Sequence, residues 1–127
     1  MNSTIIDSSA WIEYFKGNQK YYFMKNLIYN NAIYTNDIIL TELLPSILQK
    51  KANELAVLLN SITKFELSIK WQEIRDMQLL NLRHGNNNIG ISDLIIVQNC
   101  LQNNLKLITN DKHFITMAKY IPLEIYE

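Results

Sequence analysis

The sequence contains little cysteine, glycine or proline and carries no net charge. Cys100 is the only cysteine among 127 residues, which excludes an internal disulfide and a cysteine-rich metal site. We expect Cys100 to be a small core residue, because it falls within the apolar run 94–101. With only 3 Gly and 2 Pro, long linkers are not expected. Basic and acidic residues number 12 each, so nucleic-acid binding would need a local basic patch or bound cations.

Long apolar runs are also missing. No run approaches the roughly 18 residues that a membrane helix needs, and residues 1–6 are too short for the apolar region of a signal peptide. We therefore expect a cytoplasmic protein. A hydrophobic content of 48% over this length predicts one globular domain spanning residues 1–127.

Short β-prone segments alternate with helical patterns along the chain. The predicted strands are 4–6, 32–35, 65–69, 105–109 and 123–125. The predicted helices are 10–15, 19–29, 38–51, 53–62, 71–82 and 92–103, with a short helix around Phe114. This alternation predicts an α/β fold, with a mainly parallel sheet covered by helices on both faces.

Two finer expectations concern the helices. Pro45 lies inside the predicted helix 38–51 and should kink or break it. The predicted helix 71–82 should be amphipathic, with Ile74, Met77 and Leu82 on its apolar side.

Two acids directly follow predicted strands. Asp7 comes after the first strand and Asp111 after the strand 105–109. In open parallel sheets, ligands bind outside the carboxyl ends of the strands. Both acids are therefore placed where a functional site is expected, although helix N-capping is an alternative role for each.

Two further acids are harder to explain by capping. Glu42 lies mid-helix in the apolar run 38–44. A solvated position is the usual interpretation of such a residue, but this run offers few polar positions for a solvated stripe, so burial near other acids is the alternative. Asp93 begins a helix whose same side carries Ile96 and Cys100. An ionised carboxylate there is costly unless it is paired, hydrogen-bonded or metal-bound. A first-turn acid that complements the helix dipole is the alternative.

Convergence of these four acids would create a site for a divalent cation. Their mutual repulsion would raise carboxyl pKa values, and a bound cation would remove that repulsion. Oxygen ligands without a cysteine cluster or an obvious histidine pair favour Mg²⁺ or Mn²⁺ over Zn²⁺. Such a cation suits hydrolysis of a phosphodiester by water, which needs no nucleophilic side chain.

Other phosphoryl-handling α/β enzymes fit the sequence less well. A haloacid-dehalogenase-like phosphatase would need a second Asp where Ser9 stands. A response-regulator receiver would need an adjacent acidic pair near the first strand and a phosphoacceptor Asp after a middle strand, and neither is present.

The chain resembles the PIN-domain nucleases, and most closely the VapC-type toxins of bacterial toxin–antitoxin modules. The resemblance covers nearly the whole chain and rests on four short motifs that occur in the family's order and spacing. The motifs are Ile5-Ile6-Asp7-Ser8-Ser9 with Trp11-Ile12-Glu13-Tyr14-Phe15, Thr41-Glu42-Leu43-Leu44, Ile91-Ser92-Asp93-Leu94-Ile95-Ile96, and Leu107-Ile108-Thr109-Asn110-Asp111-Lys112-His113-Phe114. Residues 43–50 lack the small Gly-Ala pair common after the family's Glu, and the residues after Asp93 lack the usual Ala-rich stretch.

The resemblance implies a three-layer α/β/α sandwich and a Mg²⁺- or Mn²⁺-dependent endoribonuclease acting on RNA. It also implies a homodimer and a cognate VapB-like antitoxin that inserts a segment near the active site. By motif position, the acidic ligands and catalytic residues would be Asp7, Glu42, Asp93 and Asp111. Ser9 would support Asp7, and Thr109 would orient the last acid. A PIN-like module that binds RNA or a protein without cleaving is the non-enzymatic alternative.

Several other residues are candidates for a role at the site. Lys112, Arg83 and Lys16, and with them Lys20 and Lys25, are candidate RNA contacts, although ordinary surface charge is the simpler interpretation of each. His113 lies close to Asp111 and is a candidate for titration near the site, but a structural role is the simpler interpretation of a lone histidine beside an aromatic residue. Trp11, Tyr14 and Phe15 occur at helical spacing, and we expect core or dimer contacts from them rather than base stacking.

Overall fold

The computed structural model describes residues 3–127, which form an alternation of strands and helices. The strands in this range are β1 (Ser3–Ile6), β2 (Ile33–Tyr34), β3 (Leu105–Ile108) and β4 (Glu124–Ile125). The helices are α1 (Ser8–Phe15), α2 (Met24–Tyr29), α3 (Asp37–Gln49), α4 (Asn53–Ser61), α5 (Trp71–Arg83), α6 (Ile91–Asn103) and α7 (Lys112–Met117). A 3₁₀ turn, Gln19–Tyr21, precedes α2. The predicted α/β class is confirmed.

The four strands form one parallel sheet in the order β2-β1-β3-β4. Ile5 pairs with Leu107, and Ile6 pairs with Ile108. From β1 the chain proceeds to β2 on one side, whereas from β3 it proceeds to β4 on the other. The carboxyl ends of β1 and β3 therefore flank the point where the connections diverge, which is where open α/β sheets bind ligands.

Both faces of the sheet are covered, as the sandwich prediction requires. Successive side chains in a strand point to opposite faces. Ile5 and Ile6 are nevertheless both fully buried, and Leu107 and Ile108 are buried as well. Helices thus pack on both faces of the two central strands, and the buried apolar side chains form one cluster. No helix within residues 3–127 has the length and apolar character that would let it cross a membrane.

The predicted strand 65–69 is wrong. The nearest sheet-like pairing is a single bridge between Thr35 and Lys64, after which the chain runs without a strand partner. Polar side chains of α6 make some of the hydrogen bonds that a neighbouring strand would make. For example, the Asn99 side-chain amide donates to the Glu66 carbonyl at 3.2 Å. The backbone of this segment is thus satisfied by a helix rather than by the sheet edge.

The prediction about α2 needs correction, and of the kink or break predicted at Pro45 in α3 the break does not occur. The predicted helix 19–29 is divided into the 3₁₀ turn and α2. Helix α3 continues through Pro45 instead of ending there. Proline leaves the carbonyl of Thr41 without its helical partner. Both residues lie on the exposed side of α3, where water can replace the missing donor.

Helix α5 buries a different set of residues from the one predicted. Ile74 is buried and Met77 is partly buried, as expected, but Leu82 is 52% exposed. The buried position is instead Asn81, whose side chain accepts a hydrogen bond from the Tyr120 hydroxyl. Asn81 can be buried because Tyr120, in the chain that follows α7, supplies a hydrogen-bond partner for its side chain.

Candidate active site

Asp7 is buried at the junction of the two central strands. It follows β1, and its backbone N–H donates to the Ile108 carbonyl at 3.1 Å. The side chain is 2% exposed and is the N-cap of α1, where Oδ1 accepts from the Ala10 N–H at 3.0 Å. Oδ1 also accepts from Ser9 Oγ at 2.7 Å, and Oδ2 accepts from Thr109 Oγ1 at 2.6 Å. Asp7 is therefore both a helix cap and a buried carboxylate with a fixed orientation.

The environment of Asp7 makes its negative charge costly. The pKa of the carboxyl group is raised, chiefly by burial, although three hydrogen bonds lower it. The nearby charge of Asp111 raises the pKa further. A cation at this place would stabilise the ionised form.

Thr109 joins the first and last acids through one hydroxyl group. While its Oγ1 donates to Asp7, the same oxygen accepts from the Asp111 N–H at 2.9 Å. Thr109 therefore contacts the Asp7 carboxylate directly and Asp111 only through its backbone. The Asp111 carboxylate is the N-cap of α7 and accepts from the His113 N–H at 2.9 Å.

Asp93 and Asp111 face each other with His113 beside them. One ligand atom from each of these three side chains lies within 4.8 Å of the other two, which is close enough to hold one metal ion. His113 Nδ1 is 3.6 Å from an Asp111 oxygen and 3.9 Å from an Asp93 oxygen. The pKa of Asp93 is raised by burial first and then by the charge of Asp111, whereas His113 lowers it. The carboxylate of Asp93 on α6 thus lies close to that of Asp111, which follows β3.

Glu42 lies at the rim of this cluster, and the alternative of burial is wrong. The residue is solvent-exposed, because Leu43 and other apolar residues of α3 turn to the core and leave Glu42 on the open side. Its Oε1 nevertheless accepts from Ser8 Oγ at 3.1 Å, directly beside Asp7. Partial desolvation raises the pKa of Glu42, and the charges of the other three acids raise it further.

The four predicted acids are thus brought together from four separate segments of the chain. Three of their pKa values, those of Asp7, Glu42 and Asp93, are raised in part by their mutual charge. The donor set consists of carboxylate oxygens and one imidazole, which fits a hard divalent cation such as Mg²⁺ or Mn²⁺. Asp93, Asp111 and His113 could hold such an ion between them.

The candidate RNA contacts Lys112, Lys16 and Arg83 lie in different segments of the chain. All three side chains are exposed. Lys112 directly follows Asp111, and Lys16 lines a groove of about 280 Å³ that also contains Glu42. Arg83 lies in the last turn of α5 and makes no hydrogen bond or ion pair with the acids in the described part of the chain.

Two features of the site differ from what the sequence favours. The sequence favours a structural role for His113, with a role beside Asp111 as the alternative, and the structure places its ring near Asp93 and Asp111 on the first turn of α7. Tyr21 is buried, and its hydroxyl donates to Asn110 Oδ1 at 2.8 Å. No local pattern points to that bond, because it joins residues that are 89 positions apart.

Comparisons with known proteins agree with this geometry. A family model described as "PIN domain" matches residues 4–120. A search of curated proteins finds no match to the chain. Among solved structures, the chain is similar to DNA-bound VapBC from Salmonella typhimurium, with a TM-score of 0.73, 15% sequence identity and coverage of 99% of this chain and 98% of the other. It is also similar to VapBC2 from Rickettsia felis bound to a DNA fragment from its promoter, with a TM-score of 0.72, 23% identity and coverage of 98% and 96%.

At these identities the two structures show a shared fold. The family match, in contrast, extends over most of the chain and spans all four acid positions. The chain therefore belongs to the PIN domain family.

Proposed function

We propose that this chain is an endoribonuclease that requires Mg²⁺ or Mn²⁺ and hydrolyses RNA phosphodiester bonds with water. The observation that carries the proposal is the convergence of Asp7, Glu42, Asp93 and Asp111 at the carboxyl end of β1 and β3. A soluble-protein core does not normally gather carboxylates in this way without a counter-charge, because their repulsion disfavours the folded state. A cation that bridges carboxylates and phosphate oxygens provides that counter-charge.

Each residue of the site has a role that its contacts support. Asp93 and Asp111 would hold the cation, and the buried carboxylate of Asp7 would add its negative charge to the site. A bound divalent cation would supply Lewis acidity toward the phosphate and lower the pKa of water. Ser9 and Thr109 fix the Asp7 oxygens.

Glu42 is the acid best placed to exchange protons with solvent. It is exposed at the rim, and its raised pKa makes its carboxylate a better proton acceptor than an ordinary surface glutamate. We therefore assign Glu42 Oε1 or Oε2 as the atom that receives the proton from the attacking water.

We further propose that the protein is the toxin of a type II toxin–antitoxin module. The support is the likeness of its fold to two VapBC assemblies, both of which contain DNA. A VapB-like antitoxin would then be its partner, and the chain would act as a homodimer in the cytoplasm. Residues 1–127 would work as a single nuclease domain.

The experiment is RNA cleavage by purified protein with Mg²⁺ or Mn²⁺, comparing wild type with Asp93→Asn. We expect a loss of at least about 100-fold, because the substitution removes one of the two carboxylates of the group that could hold the ion. Asp76→Asn is the matched control, since Asp76 is an exposed acid on α5 outside the cluster. Equal cleavage by folded, contaminant-free Asp93→Asn protein would contradict the proposal.

Expression in bacteria tests the toxin assignment separately. Wild type should arrest growth, Asp93→Asn should not, and co-expression of a small protein encoded next to this one should restore growth. Growth arrest by both forms would contradict the assignment. A non-cleaving PIN-like module predicts a different result in vitro, namely RNA binding with no cleavage under any cation.

A further inference from the structure

Residues 14–36 have an unusual composition next to an acidic site. This segment contains no acidic residue, three lysines, five of the seven tyrosines of the chain and two of its four phenylalanines. The whole chain is electrically neutral, so this segment is a local basic and aromatic patch. Interleaved aromatic and basic side chains are typical of surfaces that bind single-stranded nucleic acid.

The patch forms a groove on the surface. Its lining residues are Tyr14, Phe15, Tyr22 and Lys25, and its volume is about 480 Å³. This volume lies within the range of about 300–1,000 Å³ that is common for small-ligand sites. Tyr22 is 55% exposed and presents its ring to solvent. Phe15 stacks on the buried Trp11 with ring centroids 5.4 Å apart, so the wall behind the groove is held by the core.

Lys25, the lysine that lines the groove, is available to a polyanion. Within residues 3–127, neither Lys20 nor Lys25 forms an ion pair with a carboxylate. Glu13 is the nearest acid in sequence, and it is already engaged by Lys16 at 3.3 Å and by the Asn18 side chain at 3.1 Å. The groove therefore carries uncompensated positive charge beside its aromatic rings.

The patch is also tied to the acidic site. Tyr21, the residue before Tyr22, is buried and donates to Asn110, the residue before Asp111. This hydrogen bond joins the 3₁₀ turn to the segment that follows β3. A strand of nucleic acid could thus extend from the acidic cluster onto the neighbouring patch.

We propose that the groove formed by Tyr14, Phe15, Tyr22 and Lys25 binds single-stranded RNA, with a base stacked on Tyr22 and a backbone phosphate at Lys25. The inference rests on the proposed function in that RNA is taken as the substrate. Stacking on an aromatic ring accepts every base, so this groove would add affinity without strong sequence preference. A second copy of the chain is a less favourable occupant, because it would bring the unpaired lysines of two patches together.

The test is the binding of a fluorescein-labelled, random-sequence single strand of about eight RNA nucleotides in EDTA, followed by fluorescence anisotropy. We expect Tyr22→Ala to weaken binding about tenfold and Tyr22→Phe to retain it, because stacking needs the ring and not the hydroxyl. Tyr29→Ala is the matched control, since Tyr29 is 88% exposed in the same segment but outside the groove. An abasic strand of the same length should bind wild type and Tyr22→Ala equally.

Salt dependence tests the phosphate contact at Lys25. Lys25→Ala should reduce the slope of log affinity against log salt by about 0.7, the value for one phosphate of a single strand. A lysine that only supports the fold would leave this slope unchanged.

Several results would overturn the inference. They are equal RNA affinity of wild type and Tyr22→Ala, an unchanged salt slope for Lys25→Ala, or no binding of the strand by wild type. Loss of self-association or of antitoxin binding in Tyr22→Ala, with RNA affinity unchanged, would assign the groove to a protein and also overturn it. Because EDTA prevents cleavage, Tyr22-dependent binding by a protein that never cleaves would contradict the proposed function and leave this inference standing.

Discussion

The acidic cluster and the aromatic groove differ in the number of chain segments that form them and in their exposure to solvent. The cluster collects acids from four distant segments, and its innermost member, Asp7, is buried and held by three donors. The groove comes mostly from one continuous segment, 14–25, and its Tyr22 and Lys25 are exposed. One region is negative and partly desolvated, whereas the other is positive and open.

Because of this difference, the cluster is suited to the proposed chemistry and the groove to binding. Burial, together with mutual repulsion, raises the pKa values of Asp7, Glu42 and Asp93, so under the proposed function the cluster would need a cation before it could accept a phosphate. The groove can attract a polyanion without any cation. Substitutions or conditions that affect one region should therefore leave the other largely unchanged.

Removal of the metal should produce the largest separation. In EDTA we expect RNA cleavage to fall by at least about 1,000-fold, while binding of the short strand through Tyr22 persists. Adding Mn²⁺ at about 100 times its dissociation constant should stabilise wild type by about 2.7 kcal/mol, measured as a shift in thermal unfolding. Asp93→Asn should show a smaller shift, and an equal shift would place the cation elsewhere.

Loss of the Thr109 hydroxyl should have the next largest effect. Thr109→Val removes the donor to Asp7 and the acceptor for the Asp111 N–H. We expect cleavage to fall about 10- to 100-fold, as for other residues that orient metal ligands. Thr109→Ser keeps the hydroxyl and should remain near wild type, and neither variant should change RNA affinity in EDTA. A loss in Thr109→Ser without a loss in Thr109→Val would show that the methyl group, rather than the hydroxyl, matters.

The repulsion within the cluster predicts a smaller, pH-dependent effect on stability. Asp93 faces Asp111, Asp7 and His113, and its pKa is raised above the ordinary value of 3.8. The folded protein therefore binds this proton more tightly than the unfolded chain, so the free energy of unfolding falls as pH rises through the carboxyl range.

Asp93→Asn should not show this fall in the free energy of unfolding with rising pH. In EDTA, its unfolding midpoint should be close to that of wild type near pH 4 and higher than wild type at pH 7. Tyr22→Ala, which leaves all four acids in place, should follow the wild-type pH dependence. A lower midpoint for Asp93→Asn at pH 7 would contradict a destabilising charge at this position.

A further expected effect concerns the core beneath the cluster rather than the site itself. Cys100 is buried on α6, and burial, with a further contribution from the charge of Asp7, raises the pKa of its thiol to about 12. The folded protein should therefore react with a thiol reagent at pH 8 at least about 100-fold more slowly than the unfolded chain. Rapid reaction would mean that α6 opens from the sheet, and the cluster could not then be a fixed site.

The sequence predicted the central strands and α6 well because their patterns are strong and local. The residues of β1 and β3 are mostly branched apolar side chains, and both strands lie within a residue or two of the predicted bounds. The segment 65–69 has a similar pattern, but amide groups of α6 satisfy its backbone instead of a strand. Local propensity carries no information about which partner a backbone finds.

The candidate site was predicted to a similar extent. Asp7 and Asp111 could be placed at the sheet edge because each directly follows a strand. The proximity of His113 to Asp93 depends on how α7 packs near α6, which no local pattern encodes. The apolar surroundings of Glu42 in sequence suggested burial, but the rotation of α3 about its axis leaves it exposed.

By itself, the sequence determined that the fold is α/β, that Cys100 is a core residue and that acids follow two of the strands. These properties depend on the identity and spacing of residues that are close along the chain. The tertiary structure decided that β1 lies beside β3, that Asp93 meets Asp111, and that Tyr22 and Lys25 line one groove beside the acids. Those contacts depend on packing between segments far apart in sequence, where burial and strand order rather than local preference select the neighbours.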